Sequence, residues 1–193
     1  MKKVDRSELL GLGAYEEIRE RFRARIIQLK KARRIAVGEH LTFVFENHDT
    51  ALFQIQEMLR TERITDERAI AHEIETYNDM IADEGELSAT LFVEYDDKHE
   101  RATMLEKLVG LADHVALRVG DRRCGARFLV QAGEETTRLP AVDYVRFTVG
   151  RDAAARLRDG RAEAALEISH PAYRAATPLT PETRASLAAD LDA

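Results

Sequence analysis

The sequence has few of the residues that mark disulfide-rich, collagen-like or disordered proteins. It contains one cysteine, four prolines and ten glycines among 193 residues. The single cysteine, Cys124, excludes an internal disulfide framework and any metal site built from cysteines alone. Apolar runs are a few residues long, far short of the ~20 residues that span a bilayer. Residues 1–8 contain no apolar segment of the secretory type, so we expect a cytoplasmic protein.

The remaining composition is that of an ordered protein rich in helix. Apolar residues make up 45% and charged residues 33% of the chain, compared with about 25% charged residues in an average domain. A domain of this length buries roughly 70% of its unfolded surface and needs no disulfide or metal to fold. No linker rich in Gly, Ser or Pro interrupts the chain. We therefore expect a single domain over residues 1–193.

Charge is unevenly distributed along the chain. The net charge is −6, yet residues 1–34 contain 11 Lys or Arg against 5 Asp or Glu, which leaves −12 for the rest. An apolar stripe at helical spacing predicts an amphipathic helix over residues 14–36. The stripe consists of Tyr15, Ile18, Phe22, Ile26 and Leu29. We expect the basic segment 1–38 to pack on the protein's own body, or to be exchanged between two bodies in a homodimer.

Apolar alternation elsewhere predicts strands. The predicted strands lie near residues 41–46, 87–95, 115–119, 124–130, 142–149 and 162–168. Gly120-Asp121 provides a two-residue hairpin turn, which places Cys124 opposite Leu117. Further helices are predicted after the first strand, around residues 66–81 and 99–111, and at two shorter sites near the C-terminus. The predicted fold class is α+β, with a mostly antiparallel sheet of five or six strands and helices concentrated in the N-terminal half.

Four stretches of sequence carry a family resemblance. They are residues 45–60, with Phe-Gln-Ile-Gln-Glu-Met at 53–58, and residues 77–78, 85–92 and 170–174. They resemble a bacterial family known as domain of unknown function three-five-zero-one, over nearly the whole chain. The resemblance brings no activity with it. It implies an accessory role with redox protein partners, because such proteins tend to be encoded near rubrerythrin-like proteins and iron–sulfur oxidoreductases.

Carboxylates and amides between the first two predicted strands form the main candidate site. Residues three apart share a helix face, which pairs Gln54 with Glu57 on one helix and Glu75 with Asn78 on the next. If these two helices form a hairpin over the sheet, their polar groups converge with the carboxylates at the strand ends. The candidate binding residues are Glu46, Gln54, Glu57, Glu75, Asn78 and Glu86.

The same cluster suits a metal ion. Carboxylates combined with histidine bind iron, manganese or zinc. The candidate metal ligands are Glu57, Glu75, His48 and His72. The doubled Glu-x-x-His motif of di-iron bundles is absent. The alternative is that these groups cap helix ends and pair with Arg60 and Arg63, which leaves no site.

Other chemistries receive less support. Cys124 shares an apolar strand face, and His114 falls on the opposite face, which argues against a nucleophile–base pair. The sequence contains no phosphate-binding glycine loop and no Gly-x-Ser-x-Gly. The eight cations from Arg19 to Arg34 would suit a polyanion. However, Phe22 is the sole aromatic residue between positions 19 and 34, and the sequence contains no nucleic-acid-binding motif. We therefore do not expect a nucleic-acid partner.

Three functions therefore remain open from sequence. The first is an accessory or interaction protein associated with redox or iron-dependent chemistry. The second is a metal-dependent enzyme or metal sensor with a carboxylate-rich site. The third is a polyanion binder that uses the basic N-terminal helix.

Overall fold

The computed structural model describes residues 1–129 and 137–191. The helices in these ranges are α1 (Leu12–Lys31), α2 (His48–Thr61), α3 (Glu67–Asn78), α4 (Lys98–Lys107), α5 (Gly150–Asp159) and α6 (Pro181–Asp190). The strands are β1 (Arg34–Val37), β2 (Leu41–Glu46), β3 (Glu86–Val93), β4 (Val115–Val119), β5 (Arg122–Phe128), β6 (Val142–Thr148), β7 (Ala164–His170) and β8 (Tyr173–Pro178). Within the described residues, no helix combines the length and apolar character needed to cross a membrane.

All eight strands belong to one antiparallel sheet in the order β1-β2-β3-β6-β5-β4-β7-β8. The two edge strands approach each other and curl the sheet into a nearly closed barrel. Side chains bridge this seam: the Thr177 hydroxyl donates to the Ala36 carbonyl at 2.7 Å, and the Tyr173 hydroxyl donates to the Val37 carbonyl at 2.8 Å. Gly38 is required here, because its φ is +70° and a Cβ would lie 2.3 Å from the Tyr173 hydroxyl.

The apolar residues divide between two clusters. The larger cluster fills the barrel, where Phe45 stacks on Phe147 with ring centroids 5.8 Å apart. The smaller cluster lies outside the barrel and joins the N-terminal segment to α2 and α3 through Val4, Leu9, Ala51, Ile55, Leu59, Ile70 and Ile81. As a result, every residue of β2 is buried, whereas the alternation in sequence predicts one buried face.

The predicted strand count and helix distribution are wrong. The described residues form eight strands rather than five or six, and α4, α5 and α6 lie in the C-terminal half. The prediction missed β1 because β1 follows the basic helix almost directly and its first three residues lie within the predicted helical range 14–36. It missed β8 because Pro171 ends β7, as its missing N–H requires, but then helps to form a hairpin turn into another strand.

The predicted hairpin at Gly120-Asp121 is confirmed. Leu117 pairs directly with Cys124, and Gly120 adopts a φ of +60° in the turn. Cys124 is buried, with its thiol 3.7 Å from the Val149 carbonyl oxygen. Burial raises the pKa of this thiol. Val130 is the last residue of the predicted strand 124–130, the second strand of this hairpin, and it lies outside the described residues.

Candidate functional site

The predicted carboxylate–amide cluster assembles only in part. Gln54 Nε2 donates to Glu46 Oε2 at 3.2 Å, and the Thr90 hydroxyl donates to Glu46 Oε1 at 2.8 Å. This contact forms because α2 starts directly after β2 and folds back over the end of that strand. Of the six predicted binding residues, these two hydrogen-bond to each other within residues 1–129 and 137–191.

Glu57 points instead toward α1. Its carboxylate accepts two hydrogen bonds from Arg19, at 2.8 Å from Nε and 2.9 Å from Nη2, and one from the Tyr15 hydroxyl at 2.7 Å. Hydrogen bonding by Arg19 is the main reason that the pKa of Glu57 is lowered. Glu57 therefore fastens α1 to α2, while Glu75 is exposed on α3.

Asn78 and Glu86 also have structural partners. The Asn78 side chain donates to the Val4 carbonyl at 2.9 Å and accepts from the Val4 N–H at 2.8 Å, so it ties the N-terminal segment to α3. Glu86 accepts from the Thr148 hydroxyl at 3.1 Å and from Arg146 at 3.4 Å. Their binding roles remain predictions.

The two predicted histidine ligands lie apart. His48 is at the start of α2, with ring nitrogens 3.1 Å from the Glu8 carboxylate and 3.4 Å from that of Asp49. His72 is exposed on α3. In the described part of the chain, no three His, Cys, Asp or Glu side chains form a group able to hold a metal ion. A metal site formed by Glu57, Glu75, His48 and His72 stays a prediction.

The apolar stripe of α1 packs on α2 of the same chain. Phe22 meets Phe53 edge to face with ring centroids 5.5 Å apart, and Tyr15 is fully buried. Among residues 1–129 and 137–191, four of the eight cations from Arg19 to Arg34 form ion pairs, namely Arg19–Glu57, Arg25–Asp49, Arg33–Asp190 and Arg34–Glu94. Much of the basic face is thus neutralised by the acidic body.

A cavity of about 390 Å³ lies between the N-terminal segment, α1 and α2. The sequence patterns above do not predict this cavity, although the apolar pair Leu9-Leu10 ahead of the helix is a signal for it. Gln56 holds the N-terminal wall in place, since its side chain accepts from the Leu10 N–H at 2.6 Å and donates to the Leu10 carbonyl at 3.2 Å. The cavity is lined by Glu8, Leu10, Tyr15, Ile18, Arg21, Phe22, Arg25, Asp49, Leu52 and Gln56.

Most charges around this cavity are compensated. Arg25 pairs with Asp49, and Glu8 accepts hydrogen bonds from Lys2 and from its own capping partner Asp5. Together with His48, these contacts lower the pKa of Glu8 to about 2, with Lys2 the largest cause. Arg21 differs, because it has no ion-pair partner among the residues that the structure describes. The cavity therefore combines an apolar lining with one uncompensated positive charge.

Comparisons with known proteins identify relatives but no activity. Residues 3–191 match the family described as Protein of unknown function (DUF3501). The chain is also similar to a crystal structure, at 1.90 Å resolution, of a novel protein of unknown function from Burkholderia pseudomallei. The two chains share 37% identity with a TM-score of 0.92, over 99% of this chain and 100% of the other. No curated protein matches the chain. Because the match spans nearly the whole sequence, the chain belongs to the DUF3501 family.

Proposed function

We propose that this protein is an accessory binding protein whose cavity between the N-terminal segment, α1 and α2 holds an amphipathic carboxylate. The observation that supports the proposal is an apolar cavity lined in part by Arg21, whose exposed side chain has no ion-pair partner in the described ranges. Its volume of about 390 Å³ falls within the usual range of small-molecule sites, about 300–1,000 Å³.

The lining favours a ligand with a hydrocarbon body. Leu10, Ile18, Phe22 and Leu52 present aliphatic and aromatic surface, and burying such surface stabilises a complex by roughly 25 cal/mol per Å². Leu10 is 39% exposed, so a bound ligand would also cover an apolar side chain that now faces water. A free carboxylate or a sulfonate on the ligand would then have Arg21 as its partner.

Arg21 favours an anionic head group over a neutral or cationic one. A guanidinium donates paired N–H bonds to a carboxylate, and such charge-assisted bonds are stronger than neutral ones. Arg25 is less available, because Asp49 already accepts from it. The role beside redox proteins that the family resemblance implies is compatible with this proposal and stays a prediction.

Isothermal titration of the full chain with decanoate tests the proposal, with decanol and decylamine as head-group controls. We expect one decanoate per chain and weaker binding of both controls. Arg21→Gln should weaken decanoate binding at least about tenfold, since a hydrogen bond to a charged group contributes about 1.5–3 kcal/mol. Arg23→Gln is the matched control, because Arg23 is exposed on the same helix and does not line the cavity.

Two results would contradict the proposal. One is that decanoate, octanoate and the fluorescent sulfonate anilinonaphthalenesulfonate all fail to bind. The other is that Arg21→Gln and Arg23→Gln reduce affinity equally, which would mean that α1 attracts anions by its general charge and not at the cavity.

A further inference from the structure

A second cavity lies where β5 and the end of β6 meet the start of α5. Its volume is about 350 Å³. It is lined by Arg122, Arg123, Cys124, Thr148, Val149, Gly150, Arg151, Asp152 and Ala153. None of these residues lines the cavity beside α1, so the two cavities share no lining residue.

The charge of this second cavity is strongly positive for an acidic protein. Three arginines line it and one aspartate opposes them, whereas the whole chain carries a net charge of −6. Arg122 donates to Asp152 through Nε at 2.7 Å, so this pair is internally neutral. Arg123 and Arg151 are exposed and have no ion-pair partner among residues 1–129 and 137–191. Two guanidinium groups thus remain to attract an anion.

The Thr148 hydroxyl, which also lines this cavity, already has a hydrogen-bond partner, so fewer groups remain to bind a ligand. Thr148 Oγ1 donates to Glu86 at 3.1 Å, so the arginines are the polar side chains left to recognise a ligand. Gly150, the first residue of α5, leaves its side of the cavity open, since a Cβ there would meet no atom within 4 Å. A compact group with several acceptor oxygens and more than one negative charge suits two arginines best.

We propose that this second cavity binds the phosphate group of a small molecule through Arg123 and Arg151. A small molecule is favoured over a nucleic-acid backbone because the site is a concave cavity with two available guanidinium groups. A surface that follows a phosphate backbone requires a longer row of cations. The proposal is independent of the carboxylate site beside α1.

Cys124 provides a built-in reporter for this site. It is the single cysteine of the chain, it lines the cavity, and it is 6% exposed. Because the thiol is buried, its alkylation requires a local opening of β5, and a phosphate compound bound to the closed form would make that opening rarer. The rate of alkylation by iodoacetamide, a neutral reagent, should therefore fall as pyrophosphate or adenosine monophosphate is added, and this decrease should saturate.

The matched variants are Arg123→Gln, Arg151→Gln and the control Arg174→Gln. Arg174 is an exposed strand arginine like Arg123 but lies on β8, away from the cavity. We expect each cavity variant to raise the pyrophosphate concentration needed for half-protection about tenfold, because each removes a charge-assisted contact. The control should leave that concentration unchanged. Thermal melting of each variant without ligand establishes that it is folded.

Three outcomes would overturn the proposal. The first is that pyrophosphate at millimolar concentration leaves the alkylation rate of Cys124 unchanged. The second is that Arg174→Gln weakens protection as much as the two cavity variants do. Alternatively, a short single-stranded DNA would protect Cys124 at far lower concentration than adenosine monophosphate, which would assign the arginines to a nucleic acid. Decanoate binding is measured on the same preparations, so failure of this site is distinguished from failure of the carboxylate site.

Discussion

A buried ion pair between Arg33 and Asp190 gives the sharpest test of how this fold is held together. Arg33 is 1% exposed and lies between α1 and β1. Its guanidinium donates to the Phe45 carbonyl at 2.8 Å, to the Glu46 carbonyl at 3.1 Å and to the Ser186 hydroxyl at 2.9 Å, and it pairs with Asp190. One side chain therefore joins the end of β2 to the last turn of α6.

Asp190→Asn removes the negative charge with little change of shape and leaves the guanidinium buried. Removing one partner of a buried ion pair costs about 3–5 kcal/mol, because the remaining charge is uncompensated. In a chain of this size each kcal/mol lowers the melting temperature by about 2–4 °C. We therefore expect Asp190→Asn to melt about 6–20 °C below the wild type, on the product of these two ranges.

Calorimetry and urea denaturation measure this change. The double variant Arg33→Met/Asp190→Leu should be less destabilised than the sum of its single variants, because it leaves neither charge buried. Arg34→Gln is the neighbouring control: Arg34 pairs with Glu94 at the surface, where such a pair contributes about 0–1 kcal/mol. An Asp190→Asn protein as stable as Arg34→Gln, or a double variant equal to the sum of the singles, would refute the reasoning.

Three further predictions concern single residues. The pKa of Glu8 is about 2 in the folded chain, compared with its ordinary value of 4.5. The free energy that ionised Glu8 contributes to folding is therefore present above pH 4.5 and is lost as pH falls toward 2. In Glu8→Gln, the free energy of unfolding measured in urea should depend less on pH over that interval. Gly38→Ala should lower the stability measured in urea by more than about 1 kcal/mol, because φ is positive and the new Cβ would strike the Tyr173 hydroxyl; an unchanged stability would contradict the placement of Tyr173. Without added ligand, Cys124 should react with iodoacetamide much more slowly at pH 7 in the native protein than in urea, since burial raises its pKa; equal rates would contradict its placement.

Features set by neighbouring residues were predictable from sequence. The pair Thr65-Asp66 offers two residue types that favour an N-cap, and the Asp66 carboxylate caps α3 by accepting from the N–H groups of Arg68 and Ala69. The Gly120-Asp121 turn likewise follows from two adjacent residues. These contacts span three residues or fewer, so local conformational preference decides them.

Features set by distant residues were not predictable in the same way. Helical spacing places Gln54 and Glu57 close together, but Arg19, 38 residues earlier, takes the Glu57 carboxylate away from the predicted cluster. The edge strand β8 depends on pairing with β7, and the cavity beside α1 depends on Gln56 holding Leu10, which is 46 residues away. Sequence periodicity does not report which partner a long side chain reaches.

The seam between β1 and β8 has a consequence for how the molecule opens. Within the described ranges the two strands are joined by the side chains of Thr177 and Tyr173, whereas every other strand boundary is a ladder of main-chain bonds. Separation there disrupts the fewest cooperative contacts. Hydrogen–deuterium exchange should therefore begin at the amides of these two strands, and the earliest partly unfolded state should have lost them while the remaining six stay protected.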